Sequence, residues 1–164
     1  MREIPDFPVP GVLFRDILPV LADPAAYRQL VDELALAAAP FGANVIVAPE
    51  ARGFLLAAPL ARQLGAGLIA VRKAGKLPPP VYGEDYALEY GTARLEVEQQ
   101  AGAAGRRALV VDDVLATGGT VAAAARLVER LGAEVAGYLF VMELRALAGR
   151  SQLRGRPAAA LWTV

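Results

Sequence analysis

Apolar and polar positions change period along this chain, and the changes mark out alternating helices and strands. Pro5, Pro8, Pro10 and Pro19 keep the opening, to about residue 21, irregular. Asp23-Pro24 then supplies an N-cap and a first-turn proline. Tyr27, Leu30, Val31, Leu34 and Ala38 follow at helical spacing, and Pro40 marks the stop. "NVIVA" (44–48) is an unbroken apolar run that predicts a buried strand. The turn "PEARG" leads to a helix over about 54–64, and "LIAV" (68–71) predicts the next strand. Residues 72–92 hold Gly75, three consecutive prolines, Gly83 and Gly91, and predict a long loop of the functional kind. "ARLEVEQ" alternates as a flanking strand, and "ALVVD" predicts a buried one. "GGTVAAAARLVERLG" predicts a helix ending at Gly132, and "EVAGYLFVME" a strand. A short helix near 144–152 and a last strand, "AAALW", complete the pattern.

This alternation predicts an α/β domain spanning 1–164, with a mainly parallel sheet flanked by helices on both faces. Such sheets collect ligands beyond the carboxyl ends of their strands. "PEARG", "RKAGK" and "DDVLATGGT" each follow a predicted strand, so the three loops converge on one edge.

Composition narrows the chemistry. The chain has no Cys and no His, which removes thiolate nucleophiles, Ser-His triads and most zinc sites. Seventeen basic residues balance seventeen acidic ones, giving no general attraction to nucleic acid or membrane. The N-terminus lacks a signal-peptide pattern and no apolar run approaches a membrane span, which points to the cytoplasm. Fifteen of the basic residues are Arg; Lys73 and Lys76 are the only lysines and lie together in "RKAGK". That proximity fits a need for an ammonium group, although a solvated loop accounts equally well for Lys73.

In "LVVDDVLATGGT", Gly118 and Gly119 let the backbone turn closely around a ligand, and the following helix offers unpaired N–H groups to an anion. A lone Gly-Gly would merely cap a strand–helix turn. Asp112 and Asp113, adjacent at the end of an apolar strand, change that reading because they need a cation or hydroxyl groups to accept from. A sugar phosphate offers both chemistries on one molecule.

The same stretch resembles the phosphoribosyl-diphosphate (PRPP) motif of the type I phosphoribosyltransferases. "IPDFPVPGVLFRDI", "EARGF", "VRKAGKLP" and "YALEYG" further resemble the adenine phosphoribosyltransferases within them, in one order over 4–120. The resemblance implies the type I phosphoribosyltransferase fold, with a small N-terminal hood (about 1–21) and a mobile lid loop (about 72–93). It implies that adenine and PRPP combine to give AMP and pyrophosphate. Mg2+ would be bound mainly through PRPP, with no direct protein ligand assigned. Residue by residue, Ala116, Thr117, Gly118, Gly119 and Thr120 would hold the 5′-phosphate, and Asp112 and Asp113 the ribose hydroxyls. Glu50, Ala51, Arg52, Arg72 and Lys76 would meet the pyrophosphate, with a non-proline cis peptide at Glu50–Ala51 presenting backbone amides. Some relatives have Asp-Ser there, so any hydroxyl role is absent from this chain. Phe14 would stack on adenine while backbone groups of Leu13 and Arg15 read its edge. Glu89 would manage the proton of adenine as N9 attacks C1′, and Tyr90 would help close the lid. A homodimer is implied, with Lys76 acting across to the partner.

The alternatives are a transferase for a 6-oxo purine, a PRPP-sensing regulator and a nonenzymatic nucleotide-binding module. "VLFRDI" and "LEYG" argue against the first. The chain has neither the length nor the basic surface for the second, and the third leaves "YALEYG" unexplained.

Overall fold

A computed structural model describes residues 1–7, 9–11, 13–87 and 91–164. The proline-rich opening, expected to be irregular, contains a small hairpin of β1 (Arg2–Ile4) and β2 (Phe14–Asp16), followed by α1 (Leu18–Ala22). The buried Asp16 carboxylate fixes this segment, accepting from Arg2 Nη2 at 2.6 Å and from the Leu18 N–H at 3.0 Å. The Asp23 carboxylate then accepts from the Ala25 and Ala26 N–H groups, starting α2 (Pro24–Ala38). Leu30, Val31, Leu34 and Ala38 are its buried face, as their spacing predicts.

β3 (Val45–Pro49), α3 (Arg52–Leu64) and β4 (Gly67–Lys73) form one unit of parallel strands and crossover helix. Within the stretch expected to be a loop, β5 (Val81–Ala87) forms and pairs antiparallel with β6 (Thr92–Glu98), the strand that "ARLEVEQ" predicts. The proline run stops just before β5. Within it Tyr82 and Tyr86 pack on the core, and Glu84, between them, pairs with Arg126 at 2.5 Å. One polar residue between two tyrosines is too weak an alternation to stand out beside so many loop-forming residues. A second parallel unit follows: β7 (Arg107–Leu115), α4 (Gly119–Arg130) and β8 (Glu134–Glu143). β7 runs three residues past its predicted end, because β8 goes on pairing with it as far as Leu115↔Glu143. The expected tail helix is two 3₁₀ turns, Arg145–Leu147 and Gly149–Leu153, before β9 (Ala158–Thr163).

Among the described residues the main sheet has the order β5-β6-β4-β3-β7-β8-β9. Its central strands are buried on both faces, which explains their unbroken apolar runs. On β3, Val45 and Val47 join Ala123, Ala124 and Leu127 of α4 in one cluster. Ile46 and Ala48 join Leu34 of α2 and Leu56 and Leu60 of α3 in the other. With both faces filled, the carboxyl edge of the sheet is where side chains are free to meet a ligand. No helix among the described residues is long and apolar enough to cross a membrane.

Candidate active site

The chain leaves β3 for β4 in one direction and β7 for β8 in the other, so the strand order reverses between β3 and β7. These two strands pair only as far as Val47↔Val110. Residues 112–115 therefore have a strand neighbour on the β8 side alone. The turn after β3 and the loop after β7 face each other across the resulting gap.

Arg52 and Asp113 meet there. Arg52 Nε donates to the buried Asp113 carboxylate, and the Asp113 N–H donates to Asp112 Oδ1 at 2.9 Å. Burial, and then the neighbouring Asp113 carboxylate, push the Asp112 carboxyl well above the usual carboxylate range. α3 begins directly against this pair. A Cβ on Gly53 would lie 3.1 Å from both Asp112 Oδ1 and the Val111 carbonyl, so only glycine fits without displacement. Gly53 was not among the expected site residues, although "EARGF" carries it.

The N-terminal hairpin reaches the same place. The Arg52 guanidinium lies 5.9 Å from the centre of the Phe14 ring, which Phe7 meets edge-on at 5.2 Å. Arg15 turns its side chain to Glu3 at 3.1 Å. Arg15 lies on β2, and Leu13 comes just before that strand. Its place ahead of the paired residues leaves the Leu13 N–H and C=O clear of the ladder.

The Glu50–Ala51 peptide is cis, as expected. The Glu50 carboxylate accepts from Arg72 Nε at 2.9 Å and from the Lys73 N–H at 3.0 Å, bonds that hold its carboxyl below the usual range. Glu50 thus ties the end of β3 to the end of β4, and Arg72 is braced over the Phe54 ring at 5.9 Å. The exposed Lys73 and Lys76 follow in a turn whose Gly75 N–H donates to Glu96 at 2.9 Å.

Beyond β7, Gly118 takes a φ of 84° and α4 starts at Gly119. The Ala122 N–H closes the first helical bond, to the Gly118 carbonyl at 3.0 Å, so the N–H groups of 119–121 precede the helix's own acceptors. Thr117 is exposed and Thr120 half-buried beside them. A cleft of about 360 Å³ runs from Thr117 and Gly119 along α4 to Arg126, walled by Asp85, Tyr86 and Ala87 of β5. The Ala87 carbonyl comes within 3.1 Å of where a Gly119 Cβ would stand. Glu89 and Tyr90 lie outside the described residues; Ala87, two residues before Glu89, lines this cleft. Among the expected residues, then, Phe14, Arg52, Asp112 and Asp113 are in one cluster. Glu50 and Arg72 form a second beside it, and 116–120 border both the gap and the cleft.

Residues 23–157 match the model of the phosphoribosyl transferase domain. The adenine phosphoribosyltransferase of Streptomyces coelicolor is 53% identical over 168 aligned positions, covering all of this chain and 92% of that protein. The chain belongs to the adenine phosphoribosyltransferase family. Its sheet order and flanking helices are those of a type I phosphoribosyltransferase fold. The adenine phosphoribosyltransferase of Thermoanaerobacter pseudethanolicus superposes with a TM-score of 0.96 at 48% identity, over 99% of this chain and 95% of that one. The Saccharomyces cerevisiae enzyme of the same family, solved with an imino-altritol bisphosphate and adenine, gives 0.93 at 43% identity, over 98% and 93%. The similarity to these phosphoribosyltransferases spans the hairpin and every loop described above.

Proposed function

We propose that this chain transfers the 5-phosphoribosyl group of PRPP to N9 of adenine, giving AMP and pyrophosphate in purine salvage. The observation that carries this reading is the stacking of the Phe14 hairpin over Arg52, itself bonded to Asp113 at the strand-order reversal. An aromatic platform, a cation and a carboxylate pair meet at one place, and these are the kinds of group that base, diphosphate and ribose hydroxyls call for.

In this reading the amides and hydroxyls of 116–120 receive the 5′-phosphate, using the unpaired N–H groups and the positive end of α4. Asp112 and Asp113 accept from the ribose hydroxyls. Breaking the bond from C1′ to pyrophosphate places positive charge on the ribose and negative charge on the leaving group. The guanidinium of Arg52, the backbone at Ala51 and the side chains of Arg72 and Lys76 answer the leaving charge. Mg2+ brought by PRPP would offset further charge on the diphosphate. The donor set suits a metal carried by its substrate, since Asp113 is engaged by Arg52 and the Glu50 carboxylate by Arg72. Glu89 is assigned the adenine proton, and Tyr90 a share in closing the lid loop (about 72–93) over the reacting atoms, which keeps water from the ribose cation. A homodimer in the cytoplasm belongs to the same reading.

The deciding experiment is a panel of purine bases assayed with PRPP and Mg2+. Adenine should exceed hypoxanthine and guanine by at least about 10² in kcat/KM, because a 6-oxo purine reverses the donor and acceptor that Leu13 and Arg15 must meet. Preference for a 6-oxo base would replace this reading with its nearest alternative. Phe14→Ala tests the platform separately. Stacking contributes about 1–3 kcal/mol per base, so the KM for adenine should rise about tenfold or more while that for PRPP moves little. Equal rises in both would make Phe14 a packing residue.

A further inference from the structure

Glu143 is a carboxylate at the end of an apolar strand and is only 5% exposed. It lies opposite Leu115, the residue from which β7 enters the 116–120 loop. Arg150 grips it with two donors, Nε to Oε1 at 2.7 Å and Nη2 to Oε2 at 2.8 Å, and sends Nη1 to the Ala158 carbonyl at 3.1 Å. Those bonds hold the Glu143 carboxyl below its ordinary range, so the pair is fully charged at neutral pH.

The grip matters because of what Arg150 is attached to. The 3₁₀ turn Gly149–Leu153 packs against the 116–120 loop. A Cβ on Gly149 would run into the Ala116 carbonyl, and a Cβ on Gly118 would run into the Gly149 carbonyl. The same Gly118 Cβ would stand 3.1 Å from Cβ of Gln152, a residue that borders the cleft with Thr117 and Gly119. Leu115 and Leu144 are also joined, the Leu144 N–H donating to the Leu115 carbonyl at 2.9 Å. The loop is therefore backed by a second piece of chain in backbone-to-backbone contact, and that piece is held by Leu153, buried in the core, and by the forked ion pair of Arg150 with Glu143.

We propose that Arg150 is a positioning residue for the 5′-phosphate of PRPP: its fork on Glu143 holds Gly149–Leu153 against the 116–120 loop and so keeps the loop's N–H groups aimed at the phosphate. The inference rests on the assignment of that loop to the phosphate. Lysine keeps the charge but has no fork, so Arg150→Lys should behave nearly as Arg150→Met does.

The test measures both variants beside the wild-type chain. The KM for PRPP should rise about tenfold or more, with kcat changed by less than about threefold and the KM for adenine by less than about twofold. Calorimetry with ribose 5-phosphate should show about tenfold weaker binding, while pyrophosphate binds as in the wild type. A PRPP KM within twofold of wild type in a folded variant overturns the proposal. So does an equal loss of ribose 5-phosphate and pyrophosphate affinity, which marks general destabilisation. Should Arg150→Met fail to fold, Arg150→Lys carries the test. A wild-type chain that binds ribose 5-phosphate but turns over no base with PRPP defeats the functional reading and leaves the calorimetric comparison standing.

Discussion

Arg52→Met should lower kcat by about 10²–10³-fold, the usual cost of removing one donor aimed at developing charge. The effect should fall on kcat more than on the adenine KM, because the guanidinium answers charge that grows as pyrophosphate leaves. A second consequence is electrostatic. Arg52 is the cation bonded to Asp113, and burial and then the Asp113 carboxylate already raise the Asp112 carboxyl well above the usual range. Without the Arg52 charge, which lowers it, the Asp112 carboxyl binds its proton at still higher pH. The pH at which PRPP binding reaches half its maximum should therefore move upward, and pH-dependent calorimetry would register it. Arg52→Lys should recover part of the rate without the geometry. If Arg52→Met keeps kcat within threefold of wild type, Arg52 has no part in stabilising the leaving group.

Gly118→Ala should reduce kcat/KM for PRPP by about 10² or more. Two costs coincide there. The φ of 84° strains any L side chain by about 1–2 kcal/mol. The added Cβ also meets the Gly149 carbonyl, a backbone atom that cannot rotate aside. Relief requires the 116–120 loop or the Gly149–Leu153 turn to move, and either shift displaces the N–H groups from the phosphate. Gly65→Ala separates strain from collision. Gly65 has a φ of 64° but nothing within 4 Å of a new Cβ, so that variant should lose about 1 kcal/mol of stability and keep its kinetics. Matching kinetic losses in the two variants would remove the special role of Gly118.

The sheet was legible in the sequence because buried parallel strands and a capped amphipathic helix leave unmistakable patterns; "NVIVA", "ALVVD" and Asp23-Pro24 all form the elements they predict. Of the β5–β6 hairpin, β6 was legible in the alternation of "ARLEVEQ", whose Leu95 and Val97 are buried; β5 was not, since it offers the core only Tyr82 and Tyr86 and the partner of Glu84 is Arg126, on a distant helix. Among site residues, Arg52 and Asp113 were named from their own motifs, but only the fold shows that they touch. Glu143 could have been found. It ends an apolar run just as Asp112 does, and the same demand for a partner applies to it. What the sequence could not disclose is that its partner, Arg150, sits on a turn pressed against the phosphate loop.

The reversal between β3 and β7 also bears on how the molecule is made. Each parallel unit is assembled from residues near one another in sequence, but the two join through three residue pairs about sixty positions apart, Val45↔Ala108 to Val47↔Val110. Closing so long a loop is entropically costly, and such pairings form slowly. One unit carries the guanidinium and the other the carboxylates, so neither unit alone holds an assembled centre. A refolding chain becomes competent no earlier than its most distant strand contact.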